Sequence, residues 1–405
     1  MTPHPQRSSW ALVGLLCAAA LTRSACTTDT DGKPVDVPVA IGDLLADTWP
    51  EVVSPALDRA EERAAALITV SEAWSAAEAA GTAAESEPAR VATQEAWWAL
   101  MDVWQELEVM QLGPLGSELD AVGGLGLRDE VYSWPTTSRC RVDQETVDDD
   151  WSDPDFYLAN LVTVYGLAAL ETLLYAEPGV NDCEDVVDIN ASGEWAALGA
   201  DGVQERRAAY AVVLAHGVAD VLTEARTAWD PAGGDFAGTL AAAGTEGNAF
   251  EAPETALNAI FDGLFYLEIA TKDRKLAEPL GLRECVEGTC LASVETTLAG
   301  GSNLWIAANL RGFRALYTGG AGAGMDDLLQ SIDQGELDGR VLSALDAADT
   351  AAAALDQPID VAAAGDPATA VALHDAIKVV TDLLKGEVAT ALTMQIPSEA
   401  AGDND

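Results

Sequence analysis

The stretch YGLAALETLLY, Tyr165 to Tyr175, places one carboxylate, Glu171, in a segment that is otherwise uncharged and mostly apolar. From Asn160 to Tyr175, Glu171 is the only charged residue. Leu, Ala and Tyr at this density indicate a buried helix. Because burying an unpaired carboxylate costs several kcal/mol, we expect Glu171 either to have a partner elsewhere in the chain or to lie on a thin solvated face.

Helical character extends along the rest of the chain. No alternation of period two runs for long, and Ala and Leu recur at helical spacing. In WSDPDF, Ser152 or Asp153 suits an N-cap and Pro154 suits the first turn, so a helix that contains Glu171 is predicted to begin there. The other predicted helices span residues 51–80, 86–112, 203–229, 252–275, 294–317, 325–355 and 369–392. The predicted fold class is therefore all-α.

The predicted helices fall into two groups, on either side of the Gly-rich stretch that follows Trp229. Each group provides about four helices, a number that suits an antiparallel helical bundle. We therefore predict two bundles. The predicted divisions are a signal peptide at 1–25, a flexible tether at 26–40, a first bundle at 41–229, a second bundle at 230–396 and an acidic tail at 397–405.

The composition is that of a folded and strongly acidic protein. Hydrophobic residues make up 49% of the 405, which is enough for a large core. Lys and Arg number 21 against 67 Asp and Glu, so the formal net charge is −46. Because so acidic a surface repels polyanions, no nucleic-acid partner is expected.

The N-terminus is typical of an export signal. Arg7 precedes a nearly continuous apolar run over residues 10–21, which is too short for a stable membrane-spanning helix, and small residues precede Cys26. This order predicts a lipoprotein that is anchored to the membrane by acylated Cys26, at the periplasmic face of the envelope or outer membrane. Arg23 stands where such signals usually have Leu. Cleavage after Ala25, giving a secreted or soluble periplasmic protein, is the alternative.

The cysteines outside the signal region predict disulfides. These residues are Cys140, Cys183, Cys285 and Cys290. An even number in an exported chain indicates two bridges. Cys285 and Cys290 in CVEGTC could close a small loop, which would leave Cys140 to pair with Cys183. A four-thiolate metal site is the alternative, although the two CxxC pairs of such sites are missing.

Common catalytic motifs are missing from the sequence. It contains three histidines, His4, His216 and His374, and no HExxH zinc-protease motif. His216 lies four residues before Asp220, a spacing that also suits a core or boundary histidine. There is no GxSxG, no P-loop and no GxGxxG after a strand. The residues alone specify no reaction.

Four segments in order carry a family resemblance. They are SWP before CRVDQ, then GLAALETLLY, then NAIFDGLFYLEIATKDRKLAEPLGL, then SNLWIAANLRGFRALYTGG. Together they resemble the imelysin-like family, over most of the chain from Trp49 to the terminal AGDND. The resemblance implies an exported, all-helical protein with two bundles. Members of that family include insulin-cleaving membrane peptidases, iron-regulated envelope proteins and a periplasmic iron-binding component of ferrous-iron uptake.

The hallmark of that family is GxHxxE, which this chain matches in part. Gly166 and Glu171 stand at the first and last positions, but Ala168 replaces the histidine. The resemblance makes Glu171 the candidate ligand for iron or another divalent cation. With the histidine gone, a metal would need further oxygen donors, for which Asp143, Gln144, Asp188 and a tyrosine are candidates. The alternative is an ion pair of Glu171 with Arg141 or Arg311.

Further residues are matched to family segments and are predicted to line a cleft or binding site. They are Trp134, Pro135, Arg141, Gln144, Asn309 and Arg311, together with Asp143, Gly166 and Ala168 around the hallmark helix. The alternative for the segment around Trp134 is a rigid connector. Glu268 and Lys272, four apart, are predicted to form a surface pair.

Three functions follow from the resemblance. The first is a non-enzymatic envelope protein that binds iron or another ligand in a cleft between the bundles, with iron-uptake components as partners. The second is a metallopeptidase, although a catalytic metal usually needs three protein ligands. The third is a scaffold that has lost its metal site.

Overall fold

The structure is a computed structural model that describes residues 41–283, 285 and 288–401. The predicted signal peptide, the lipidation residue Cys26 and the tether lie outside the described residues, as do positions 402–405 of the predicted tail. From Ile41 onward the described chain belongs to one compact unit. The division into bundles at residue 230 stays a prediction.

The described residues are helical and contain no strand, which confirms the predicted fold class. The first nine α-helices are α1 Ile41–Asp47, α2 Ser54–Ala79, α3 Ala83–Leu107, α4 Leu127–Val131, α5 Arg139–Asp148, α6 Phe156–Ala159, α7 Gly166–Tyr175, α8 Asp188–Ala191 and α9 Glu194–Trp229. The next nine are α10 Phe236–Ala241, α11 Pro253–Leu264, α12 Ser302–Thr318, α13 Met325–Ser331, α14 Gly335–Ala354, α15 Ile359–Ala364, α16 Ala368–Leu383, α17 Ala389–Leu392 and α18 Ser398–Ala401. π-Helical segments span Thr48–Val53, Leu267–Ala277 and Leu384–Val388, and short 3₁₀ turns span Gly113–Leu115, Asp150–Ser152, Val162–Val164 and Leu291–Ser293.

Helix packing brings the earlier and later helices together along α3. This helix packs against α2 and α12, while α2 also packs against α9, and α14 packs against α16. The apolar stripe of α3 supplies Trp97 and Trp104, which are fully buried with Trp74 and Trp305. These tryptophans are core residues. Where α3 meets α12, Asn309 of α12 donates hydrogen bonds to Gln105 of α3.

The longest helix, α9, has the length and composition of a membrane-spanning helix. In this fold it packs against α2, α5 and α7. It also buries Arg207, whose guanidinium lies 3.0 Å from the carboxylate of Asp143. A buried core helix of a soluble protein can have the same length and composition. The helix is bent at Gly199, where φ is 65° and ψ is 172°.

Two predicted helix starts are wrong for a tertiary reason. The helix of Glu171 begins at Gly166 and not at WSDPDF, which forms short turns. Gly166 has φ of 79°, and a Cβ atom there would lie 2.6 Å from the carbonyl oxygen of Val131, so the chain needs glycine at this close approach. The helix predicted from residue 294 begins at Ser302. The preceding residues 294–301, called the connecting segment below, bind other parts of the molecule.

The helix predicted over 325–355 is divided into α13 and α14 by a turn at residues 332–334. Asp333 in this turn has φ of 62°. A left-handed residue cannot continue an α-helix, so the break is a property of the backbone at this position. Part of the predicted acidic tail also differs, because α18 lies at residues 398–401 and buries Ala400.

Candidate functional site

The carboxylate of Glu171 is held by main-chain N–H groups. Every residue of α7 from Gly166 to Leu174 is buried, and Glu171 is 6% exposed. Its Oε1 accepts hydrogen bonds from the N–H of Leu298 at 3.0 Å and from that of Ala299 at 2.9 Å. The partner is therefore the backbone of the connecting segment, and the helix has no solvated face at this position.

The two arginines predicted to pair with Glu171 lie against other carboxylates. Arg141 forms its ion pair with Glu145, one turn along α5. Arg311 pairs with Asp102 and Glu106 on the exposed side of the contact between α3 and α12. That prediction was wrong, because each arginine has acidic partners nearer than Glu171, on its own helix or on the helix packed against it.

Burial raises the pKa of Glu171 to about 7. The N–H group of Ala299, the positive charge of Arg139 and the N–H group of Leu298 act in the opposite direction, and the negative charge of Glu295 adds to the rise. A carboxyl group in a dry site is harder to ionise, and main-chain dipoles compensate its charge only in part. Glu171 therefore exchanges a proton near neutral pH.

Seven further side chains form a second polar group beside the connecting segment. This buried polar cluster consists of Gln105, Glu108, Arg128, Tyr132, Tyr266, Lys275 and Glu295. At its centre, Lys275 Nζ lies 3.2 Å from Glu108 Oε2 and 3.1 Å from Glu295 Oε2. It also donates to Gln105 Oε1 at 2.5 Å. One ammonium thus lies between two buried carboxylates.

The remaining members of the buried polar cluster satisfy the other oxygens. Tyr132 donates its hydroxyl hydrogen to Glu295 at 2.8 Å, and Tyr266 donates to Glu108 at 2.7 Å. Arg128 contacts Glu108 Oε1 at 3.1 and 2.7 Å through two nitrogens. Buried charges are tolerated when such hydrogen bonds complete their coordination.

The charges of the cluster shift the pKa values of its carboxyl groups in opposite directions. Burial acts to raise the pKa of Glu108, but the cations Lys275 and Arg128 outweigh it and hold that pKa below its usual range. For Glu295, burial outweighs the attraction of Lys275, and the negative charge of Glu108 adds to it, so the pKa is raised. The two carboxylates raise the pKa of Lys275 despite its burial, so it stays charged.

The connecting segment joins Glu171 to the buried polar cluster. Glu295 belongs to the cluster, and Thr297 accepts a hydrogen bond from Arg139. Thr296 Oγ1 accepts from the indole N–H of Trp305 at 2.8 Å. With the two N–H groups on Glu171, this segment is held at five successive residues, 295–299. Its position before α12 explains why a helix does not begin earlier.

A cleft with a volume of about 990 Å³ adjoins the cluster. Its walls include Arg128, Trp134, Phe250, Asp262, Tyr266 and Glu399. On the buried side, Lys275 Nζ lies 5.6 Å from the ring centre of Trp134 and 5.5 Å from that of Tyr266. The two aromatic rings and Arg128 therefore separate the cluster from a space large enough for an organic ligand.

Comparisons with known proteins identify the family and the fold of this chain. The profile of the family described as Imelysin, peptidase M75, matches residues 60–386. This chain belongs to the imelysin family. No curated protein matches it significantly.

Two crystal structures show the same imelysin fold. The chain is similar to an imelysin-like protein from Psychrobacter arcticum 273-4, with a TM-score of 0.64 and 18% identity over 89% of this chain and 99% of that chain. It is also similar to a protein described as an iron-regulated protein A precursor from Parabacteroides distasonis ATCC 8503. That match has a TM-score of 0.65 and 14% identity over 90% of this chain and 100% of that chain.

The predicted site residues do not all meet in this imelysin chain. Trp134 lines the cleft, and Asn309 donates to the carbonyl oxygen and Oε1 of Gln105 at 2.7 and 3.0 Å. Pro135 is exposed after a cis peptide bond. Asp143 binds Arg207 and the N–H of Asp182.

Arg141 and Gln144 contact each other on α5, and Gln144 also contacts Cys140. Gln144 Nε2 lies 3.2 Å from the sulfur of Cys140, and Gln144 Oε1 accepts a hydrogen bond from Arg141 at 2.8 Å. Asp188 is the first residue of α8. None of these contacts involves Glu171.

The metal that the family resemblance implies does not fit the residues present. In the part of the chain that the structure describes, no group of three or more His, Cys, Asp and Glu side chains could hold a metal ion. Ala168 supplies no donor atom, Glu171 accepts two main-chain hydrogen bonds, and Glu295 is bound to Lys275. A catalytic metal needs about three protein ligands, so no reaction step can be assigned to one here.

The cysteine predictions are confirmed. Cys140 is bonded to Cys183 and Cys285 to Cys290. The alternative of a four-thiolate metal site is therefore wrong.

The predicted pair of Glu268 and Lys272 exists, with 3.3 Å between the charged atoms, but both side chains are fully buried and not on the surface. The prediction rested on spacing within one helix, which does not indicate burial. Sequence reasoning also missed Glu108, Lys275 and Glu295. The one indication in the sequence was a charged residue at a position where the pattern is apolar. Glu108, directly after the apolar stripe of α3, is an example.

Proposed function

We propose that this protein is a non-enzymatic binding protein of the cell envelope whose ligand enters the cleft beside the buried polar cluster. One observation carries the proposal. The carboxylate at the metal position of the family accepts two main-chain N–H groups, and its neighbours supply no set of metal donors. In this chain Glu171 thus holds the connecting segment that closes one side of the cluster.

The geometry gives the metallopeptidase alternative no support. Hydrolysis at a metal centre needs a bound water in an open coordination position. The two nearest acidic candidates, Glu171 and Glu295, are occupied by main-chain amides and by Lys275. Binding without catalysis is the function that remains compatible with a large cleft and satisfied buried charges.

Placement in the envelope is part of the proposal. Two disulfides suit an oxidising compartment, and family membership supports export. Anchoring through acylated Cys26 stays a prediction, and so do partners from iron uptake. The similar protein from Parabacteroides distasonis is described as iron-regulated. That description is compatible with a role in which iron is not itself the ligand.

Calorimetric titration of the purified protein with Fe²⁺ and with Zn²⁺ tests the proposal. We expect no micromolar binding by the native protein, and none by Glu171→Gln. The variant Ala168→His restores the family pattern, so affinity that appears there would mean that the scaffold can still accept a metal.

Micromolar binding by the native protein that disappears in Glu171→Gln would contradict the proposal, because it would establish a working metal site without the histidine. Metal-dependent cleavage of a denatured protein substrate would contradict it as well. Both readouts are independent of which organic ligand occupies the cleft.

A further inference from the structure

One helical face forms the floor of the cleft. Asn258, Asp262, Tyr266, Ala270 and Arg274 recur every four residues along α11 and the π-helical segment that continues it, and all line the cleft. In the α-helical part, at a rise of about 1.5 Å per residue, Asn258 and Asp262 lie roughly 6 Å apart along the helix axis. The floor therefore passes from a carboxylate through an aromatic ring to a guanidinium.

The acidic end of this floor has no cation of its own. Both oxygens of Asp262 lie 3.1 Å from the amide nitrogen of Asn258, which is neutral. In the described chain, neither Asp262 nor Glu399 forms an ion pair. Desolvation, with a smaller contribution from the negative charge of Glu399, raises the pKa of Asp262 to about 6.

The position of Glu399 is fixed by the C-terminal residues. The N–H of Gln395 donates to Asn258 Oδ1 at 2.6 Å, and Ala400 is buried. These contacts hold α18 against the π-helical segment. Glu399 is thereby kept at the cleft wall, where its charge contributes to the raised pKa of Asp262.

The charge of the cleft as a whole favours a cation. Five carboxylates and two guanidinium groups line it. One of these guanidiniums, on Arg128, already binds Glu108 and Asp129. The other, on Arg274, is twelve residues further along the floor than Asp262. An ammonium near Asp262 is therefore attracted more strongly than it is repelled.

The walls next to the acidic end are apolar. Tyr266 follows Asp262 by one turn, and Phe250, Ile269 and Trp134 also line the cleft. Pockets of this kind bind small molecules by enclosing an apolar body and orienting it with a few polar groups. The three aromatic rings and the carboxylates of Asp262 and Glu399 suit a ligand that has an apolar body and a positive charge.

We propose that the cleft binds an organic amine, with its ammonium between Asp262 and Glu399 and its apolar body along Tyr266 and Trp134. This inference rests on the proposed binding function and names the chemical class of the ligand. An inorganic cation is a poorer match, because the described residues contain no group of three or more metal-binding side chains. A purely apolar ligand would leave the two carboxylates without a counterion.

Three probes of one shape test the inference by calorimetry with the purified protein. They are 4-phenylbutylamine, the neutral 4-phenyl-1-butanol and the anionic 4-phenylbutyrate. We expect the amine to bind at least about tenfold more tightly than the alcohol, since charge-assisted hydrogen bonds are the stronger ones. We expect no measurable binding of the carboxylate.

Variants locate the ammonium. Asp262→Asn and Glu399→Gln should each weaken amine binding about tenfold and leave alcohol binding unchanged, because each removes one charge and little volume. Glu254→Gln is the control, since Glu254 is an exposed carboxylate on the same helix that does not line the cleft. This variant should bind the amine as the native protein does. Circular dichroism verifies that all three variants are folded.

Several results would overturn the inference. Equal affinity for amine and alcohol would remove the role of the carboxylates, tighter binding of the carboxylate would assign the site to Arg274, and no binding of any probe would exclude this ligand class. Each of these leaves the metal titrations unaffected. Failure of this inference and failure of the proposed function are therefore separate results.

Discussion

In the buried polar cluster, the carboxylates of Glu108 and Glu295 form ion pairs with the ammonium of Lys275, whereas the hydrogen bonds of Glu171 come from main-chain N–H groups. The two carboxylates of the cluster can stay ionised in the interior because a cation lies beside them. Burial raises the pKa of Glu171 to about 7, so this carboxylate can take up a proton near neutral pH. The comparison indicates that the ion pairs of the cluster stabilise the fold, whereas the protonation state of Glu171 can change near neutral pH.

The largest expected effect comes from breaking the cluster. Lys275→Met removes the cation that Glu108 and Glu295 share and leaves Glu108 paired with Arg128, so the free energy of unfolding should fall by about 3–5 kcal/mol. Urea denaturation measures the change. Lys378→Met, which removes a partly exposed lysine paired with Asp382, should cost less than about 1 kcal/mol. Similar losses of unfolding free energy in the two variants would mean that the buried ion pairs stabilise the fold no more than the exposed pair does.

The second prediction concerns pH. Between roughly pH 4.5 and 7 the folded chain keeps a proton on Glu171 that the unfolded chain releases, so the contribution of this group falls as pH rises through that window. Glu171→Gln does not titrate. Its stability relative to the native protein should therefore rise by about 3 kcal/mol from pH 4.5 to pH 8. Parallel stability profiles for the two proteins would exclude a raised pKa at this residue.

The third prediction separates the charge of Glu171 from its hydrogen bonds. Glu171→Ala removes the acceptor of two buried N–H groups and should cost about 1–3 kcal/mol. Hydrogen exchange of the Leu298 and Ala299 amides should become faster in this variant. Glu171→Gln keeps an acceptor oxygen and should protect both amides. Fast exchange in Glu171→Gln would mean that the charge itself is required.

The smallest effect distinguishes two arginines. Arg139 lowers the pKa of Glu171. Arg139→Met should therefore extend the pH-dependent window to higher pH, by an amount equivalent to about 1 kcal/mol. Arg311→Met breaks exposed pairs with Asp102 and Glu106 and should leave the window unchanged. A shift in Arg311→Met would restore the originally predicted partner.

Local patterns predicted those features that depend on neighbours in sequence. Helical spacing placed α2, α3 and α9 within a few residues of their observed positions except at the start of α9. The loop of CVEGTC predicted its own disulfide and, by elimination, the other one. The start of α7 was wrong because Gly166 responds to the Val131 carbonyl, which belongs to a different segment. The spacing of apolar residues contains no information about a close contact between two separate segments, such as that of Gly166 with the Val131 carbonyl.

The amino-acid sequence by itself determined that this protein is all-α, that α7 is buried and that a carboxylate within it needs a partner, because these follow from side-chain period and from the cost of desolvation. The tertiary structure decided which partner that is. Glu171 and the N–H of Leu298 are 127 residues apart, and the cluster joins residues from α3 and the connecting segment that are 190 apart. Such contacts depend on how helices pack, and many alternative partners of equal chemistry are available until packing selects one.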